Sequence, residues 1–467
     1  MMTSRKREVL RLAWPAVGSY ILHNAYRIND QFWIQGLGAD AQAAVGASFF
    51  VIILNFAALF LAAGGALALV ARATGANDTE RAHSVTRHAI FFATMIALVI
   101  GFFGAAYTEE IVAILGLPPG GATFAEEYLK TLYIFLVPIA LVPVLDNSFI
   151  GRGKTKIPLM LDCAAIGINY FLNPIMIYGG TAVAEMDLGG VVPFGAEWAD
   201  SIANTFNVEA GGMRGAALAT CLSRTVTTLA GIAILRFGFG MHLLGSLKPK
   251  LARLIEIAKI SAPVSGSIAV FAGVYLLLFT LVLRPFSIEV KAGMGIGFQV
   301  FEGLAFPCYL GVGMAAASLV GQKLGAGNPK EAMEVVKAAR FVGRCLGVFM
   351  TIVFLFVGEW IVPFFTQDPA VKIETLRYVG ILAFSQYWVS VEAVNEKTLL
   401  GAGYTRPIFW ISSLGNVLRI PLAWLLASYF GFGAAGIWWS INATTYLKAG
   451  LFWKTVQSNK WAERLGR

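Results

Sequence analysis

The chain has 467 residues, of which 57% are hydrophobic and 13% charged, and its formal net charge is +9. Soluble domains carry about 25% charged residues, so this composition, with a mean hydropathy of +0.69, excludes an ordinary soluble enzyme or binding module. Runs of about 20 apolar residues recur from end to end, each long enough to cross a bilayer. The basic excess then concerns membrane orientation and not nucleic-acid binding.

Arg5, Lys6, Arg7 and Arg11 precede the first apolar run. A signal peptide starts this way, but the run behind contains Arg27 and Asp30 and lacks a cleavage site, so an uncleaved first helix is expected. The predicted spans are 13–35, 44–71, 88–107, 128–150, 157–179, 214–236, 257–283, 292–320, 338–357, 378–400, 407–428 and 434–455. With the N-terminus inside, the inner loops hold Arg72, Arg81 and Arg87, then Arg152, Lys154 and Lys156, then Arg236, Lys248, Lys250 and Arg253, then Lys323, Lys330 and Lys337. Arg406 follows in the last inner loop and the tail adds Lys460, Arg464 and Arg467, while Glu109, Glu110, Glu126, Glu127, Glu359 and Asp368 fall outside, with Lys291, Lys372 and Arg377 as the basic exceptions there. This bias predicts a multi-pass protein of the cytoplasmic (inner or plasma) membrane with both termini in the cytoplasm. The segment 180–212 carries Glu185, Asp187, Glu197, Asp200 and Glu209 without one Lys or Arg, and is expected outside as a mobile or loosely packed cap.

Asp30 stands inside the first apolar run, which ends on the corner Gly36-Leu37-Gly38. A carboxylate in hydrocarbon costs about 2.5–3.5 kcal/mol on insertion scales, so an acid there points to function. His23, Arg27 and Asp30 share one helix face. The alternative is an Arg27–Asp30 pair at i, i+3 that only neutralises itself.

The two halves repeat. Pro15 and Gly18-Ser19 match Pro263 and Gly266-Ser267; Gly75-Ala76 matches Gly325-Ala326; Gly151 and Gly153 match Gly401 and Gly403; Asn169 and Pro174 match Asn416 and Pro421. The offset is 248 from Pro15 to Pro263, 250 from Gly75 to Gly325, 247 from Asn169 to Asn416, and falls to 221 from Gly212 to Gly433. The fall places an insertion at 180–212. Halves of about six spans each begin and end on the same side, so they are parallel repeats about an axis along the membrane normal. The expected architecture is an all-α membrane protein with about twelve transmembrane helices in two six-helix lobes, 1–240 and 241–467, around a central cleft.

Asp30-Gln-Phe-Trp-Ile-Gln-Gly-Leu-Gly38 followed by Ala43-Ala44-Val45-Gly46, then Gly215-Ala-Ala-Leu-Ala-Thr220, then Val320-Gly321-Gln322-Lys-Leu-Gly325-Ala326-Gly327-Asn328 resemble, in order and spacing, motifs of the multidrug and toxic compound extrusion (MATE) family. The resemblance implies export of amphiphilic, often cationic compounds in exchange for H+ or Na+. It looks closer to the DinF-like branch, whose N-lobe cation site pairs a first-helix Asp with an Asn-x3-Asp on the fifth helix. Those positions are Asp30, Asn169 and Asn173 here; the second acid is replaced by an amide. The NorM-like branch uses acids on the seventh helix, and Val264 to Leu283 contains none.

By residue spacing, Asp162, Asn169 and Asn173 share a face, and Asn173 and Asp30 reach similar depths. Asp30, Asn169, Asn173 and Thr220 are therefore the expected cation-coupling group, suited to a proton or to Na+ near Asp30; the alternative is a hydrogen-bonded packing network. Glu302 and Glu392 are the candidates for contacting a cationic substrate, and Tyr26 or Phe298 for stacking on a flat one. The four cysteines lack metal-ligand spacing, and no nucleophile–base, metal or phosphate-loop motif is present, so neither an enzyme nor a cofactor is expected. A secondary antiporter acting as a monomer is the leading reading. A flippase for a lipid-linked precursor, of the same broad superfamily, is the alternative; Arg27 and Arg419 are the intramembrane cations that would suit it.

Overall fold

The computed structural model describes residues 2–186, 192–242 and 249–463. Asp187, Lys248, Arg464 and Arg467, used above in the charge reading, lie outside the described residues. A backbone in hydrocarbon must satisfy its own hydrogen bonds, and every regular element among the described residues is helical. The long elements are α1 (Met2–Ile34), α2 (Ala39–Gly75), α3 (Thr79–Ala106), α4 (Pro119–Ile134 with Leu136–Gly151), α5 (Lys156–Tyr178), α6 (Gly212–Gly238), α7 (Leu251–Val282), α8 (Ile288–Gly325), α9 (Pro329–Phe356), α10 (Pro369–Gly401), α11 (Arg406–Tyr429) and α12 (Gly433–Gln457).

Eight of these are long and apolar enough to cross a membrane, and α4 is a ninth if its two pieces form one span. The other three, α1, α10 and α12, fall short of that test and carry Asp30, Glu392 and Lys448 in their interiors. The expected fourth span, 128–150, starts earlier and bends by 63° at Phe135. Pro138 explains the bend, since it has no N–H for the carbonyl four residues back and its ring crowds that carbonyl. The corner between α1 and α2 needs its glycine: Gly38 sits at φ 94°, which a side chain would strain.

Six helices form each lobe, and the repeat shows in how the lobes meet. In the first, α1 packs on α5 and, across the interface, on α8; in the second, α7 packs on α11 and, across the interface, on α2. At one end α2 and α8 touch directly. A Cβ on Gly75 would overlap the backbone of Gln322, and one on Gly325 the backbone of Arg72. The same two residues close the interface: the Arg72 guanidinium donates to the Ala402 carbonyl, and Gln322 Nε2 donates to Gly151 O at 2.9 Å. Below this, Arg5 pairs with Glu331 at 2.5 Å and Lys323 with Glu331 at 3.0 Å. Lys323, and after it Arg5, holds the Glu331 carboxyl below its ordinary value of 4.5. That contribution is complete above the ordinary value and is lost as pH falls below it. Solvent screening weakens exposed pairs, so they bias this closure rather than lock it.

The segment 180–212 is more ordered than expected. Its described part contains two helices, Ala182–Glu185 and Ala196–Phe206. Asp200 accepts from the backbone N–H groups of Ala182 at 2.6 Å and Val183 at 3.0 Å. Ala199 and Ala203 pack on Ile175, Tyr170 donates to Phe194 O at 2.7 Å, and Trp198 stands edge-on to Phe171. Small residues at helical spacing bury a face without making an apolar run, which is why the sequence reads as loose.

Candidate functional site

Asp30 lies on α1 where that helix crosses α5 and α6, and it is 5% exposed. Asn173 Nδ2 donates to its Oδ1 at 3.0 Å, and Thr220 Oγ1 donates to its Oδ2 at 3.0 Å. Asn173 Nδ2 also reaches Asn169 Oδ1 at 3.3 Å, and Asn29 Nδ2 donates to that same oxygen at 2.7 Å. All four expected coupling residues are thus brought together. Arg27 is not part of the group: its guanidinium lies 4.6 Å from the Phe49 ring centre, and the partners of Asp30 are the amide and the hydroxyl. Bonds to an ionised group are worth about 1.5–3 kcal/mol each, comparable with the burial cost of about 2.5–3.5 kcal/mol. A near balance of this kind lets a carboxyl be either charged or protonated. Asn173 Oδ1 is buried without a donor. Carboxylate, amide and hydroxyl oxygens are the hard donors that a proton or Na+ takes.

Tyr26, expected in the cleft, is buried. Its hydroxyl pairs with Ser223 and donates to Thr220 O at 3.3 Å, and Arg224 covers its ring at 4.2 Å. Phe298 stays partly exposed, 5.6 Å from the ring of Tyr275, which in turn lies 4.6 Å from Phe271. Glu302 ends the π-helical turn Gly297–Glu302 of α8 and accepts from the Tyr378 hydroxyl at 2.6 Å. Glu392 forms a 2.8 Å ion pair with Lys448, which also donates to Asn416 Oδ1 at 3.3 Å. Arg419 donates to Thr444 at 3.2 Å and leaves one buried N–H group unpaired. The second lobe therefore carries charges of both signs.

One cluster was not assembled from the sequence. Inward of Asp30, His23 Nδ1 lies 3.5 Å from Asp162 Oδ2 and its Nε2 lies 4.0 Å from Asp146 Oδ2. Ser19 donates to Asp162, and Arg224 pairs with Asp162 at 3.3 Å. The faces of His23 and Asp162 are readable from spacing; Asp146 and Arg224 stand as charges inside the expected spans 128–150 and 214–236, but only helix packing brings them to this cluster.

The MatE family model matches residues 15–175 and 263–425, the same stretch of each half. The probable multidrug resistance protein NorM of Thermotoga maritima is 26% identical over 463 residues, covering 98% of this chain and 94% of that protein. Among solved structures, a MOP superfamily transporter from Pyrococcus furiosus superposes with a TM-score of 0.85 at 20% identity, covering 99% of this chain and 97% of the other. The Vibrio cholerae MATE transporter VcmN in its bent form gives 0.84 at 17% identity, covering 100% and 98%.

Proposed function

Because this chain belongs to the MATE family, we propose that it is a secondary antiporter that exports amphiphilic, often cationic organic compounds in exchange for H+ or Na+. The observation that carries the ion coupling is the buried Asp30, held by Asn173 and Thr220 on the helix that also packs across the lobe interface. The name of the Thermotoga relative supports multidrug export, and the matched halves support alternating access about the pseudo-twofold axis.

The lobes divide at 240/241, with the insertion 180–212 on the first. The protein lies in the cytoplasmic membrane as a monomer, with both termini inside, as the basic loops suggest. Neutralising or releasing Asp30 changes the hydrogen bonds between α1, α5 and α6. The coupling ion and the substrate exchange because each favours a different arrangement of the lobes. Glu302 and Phe298 serve the cationic substrate in the second lobe. Glu392 acts there only once Lys448 is displaced. A flippase for a lipid-linked precursor would need surplus cations to hold phosphate; in the second lobe Lys448 is neutralised by Glu392, and the charge of Arg419 is matched by that of Glu302.

The test is Asp30→Asn in proteoliposomes with ethidium as the probe. It keeps size and hydrogen bonding and removes the charge. Gradient-driven ethidium transport should be lost while ethidium binding and folding persist. Wild-type transport by Asp30→Asn, with coupling lost in Glu302→Gln, would move the site to the second lobe.

A further inference from the structure

Two polar layers lie across the same three helices. The outer layer is Asp30 on α1, Asn169 and Asn173 on α5, and Thr220 on α6. The inner layer is His23 on α1, Asp162 on α5 and Arg224 on α6, with Asp146 joining from α4. His23 precedes Asp30 by seven residues, as Asp162 precedes Asn169, so the layers stand about 10 Å apart along the helices. Tyr26 links them, through Ser223 and Thr220 on one side and the covering guanidinium of Arg224 on the other.

The geometry of the inner layer lacks one proton. His23 Nδ1 is 3.0 Å from the Ser19 carbonyl, which only accepts, so Nδ1 carries the hydrogen of the neutral ring. The lone pair of Nε2 then faces the Asp146 carboxylate, acceptor toward acceptor, at 4.0 Å. No hydrogen bond reaches Asp146 among the described residues, although it lines a cavity with Asp162, Arg224, Thr227 and Thr228. Two carboxylates against one guanidinium leave the layer one positive charge short. The groups facing His23 are Ser19 and Tyr20 on its own helix, Asp146 on α4, Asp162 on α5 and Arg224 on α6; no ion pair or hydrogen bond joins it to α8 among the described residues.

We propose that His23 Nε2 and Asp146 Oδ2 share one exchangeable proton, making this cluster a second proton station of the first lobe, two helical turns inward of Asp30. The proton enters through the exposed side of His23, whose side chain is 34% accessible. It turns the opposed acceptors into an imidazolium–carboxylate pair and brings the layer to zero net charge. A divalent metal suits it less well. The three ligand atoms do lie within 4.8 Å of one another, but Asp162 is already held by Ser19 and Arg224, and a double charge would overshoot the deficit beside a guanidinium. The place of this station in transport rests on the antiport reading above; its proton does not.

The chain has four histidines, His23, His83, His88 and His242, so ring-15N labelling of the full purified chain resolves the question directly. The resonance lost in His23→Gln belongs to His23. It should convert from a neutral ring protonated on Nδ1 to imidazolium on acidification. Asp146→Asn should lower its proton affinity by about tenfold or more while the other three histidine signals stay unchanged, and Asp30→Asn should leave the titration in place. A ring that stays neutral down to about pH 5, or a titration indifferent to Asp146→Asn, overturns the proposal. So does stoichiometric Zn2+ bound at His23 in the wild type. If His23 titrates as expected while Asp30→Asn transports ethidium normally, the proton station stands and the antiport role of Asp30 falls.

Discussion

Single side chains in this protein carry consequences that their exposure alone would not suggest. Thr220 gives one hydroxyl proton to Asp30. Thr220→Val keeps the shape and removes a bond of about 1.5–3 kcal/mol to the ionised carboxylate, so a Na+ held there should bind roughly ten- to a hundred-fold more weakly, whereas a proton should be taken up more readily, with little change in stability; ethidium transport as a function of H+ or Na+ gradient measures it. Glu392 makes the opposite case. It sits in a buried 2.8 Å pair with Lys448, and removing one partner of such a pair costs about 3–5 kcal/mol. Glu392→Gln should therefore lower the unfolding temperature in detergent, and Glu392→Gln with Lys448→Met should recover most of the loss. If Glu392→Gln unfolds like wild type but loses ethidium affinity, the carboxylate serves substrate more than packing. The sequence marked Glu392 as an acid in a span; its cationic neighbour lies 56 positions away on α12, and only packing joins them.

At the scale of elements, the insertion 180–212 shows how little an apolar-run criterion sees of a short helix. Ala196 is fully buried, whereas Ser201 and Glu197 are exposed on the same helix. A lone cysteine at Ser201, in a background without the four native cysteines, should react with an impermeant thiol reagent added to intact cells; reaction only after permeabilisation would invert the topology. Asp200 caps two backbone N–H groups of the preceding helix. Asp200→Ala loses both bonds, each about 1.5–3 kcal/mol for a charged acceptor, and should loosen the cap, read as faster proteolysis between Ala182 and Phe206 with the bundle intact. The bend in α4 has a related lesson: Pro138 is plain in the sequence, but the 63° size of the bend is read only from the structure.

For the whole molecule, the decisive contact is the near-symmetric closure where Gly75 meets Gln322 and Gly325 meets Arg72. Gly75→Val places branched carbons where that backbone lies, so this end should fail to close. The expected result is a folded protein that binds ethidium but does not transport it, with cysteines near Gly151 and Gly401 labelled more readily than in wild type; unaltered transport would show that the closure is not part of the cycle. The family resemblance and the shared depth pointed to the gathering of Asp30, Asn169, Asn173 and Thr220, while the sequence alone determined the membrane class, the helical architecture and the two repeated halves. These follow from hydropathy and from the fixed rise and period of a helix, both of which are local. Tertiary structure alone decided that Tyr26 is covered by Arg224, that Glu392 is paired with Lys448, that the acidic insertion packs as a cap, and that Asp146 completes a cluster with His23 and Asp162. Each of those turns on which helix faces meet, and residue spacing within one helix says nothing about the neighbour that will lie against it.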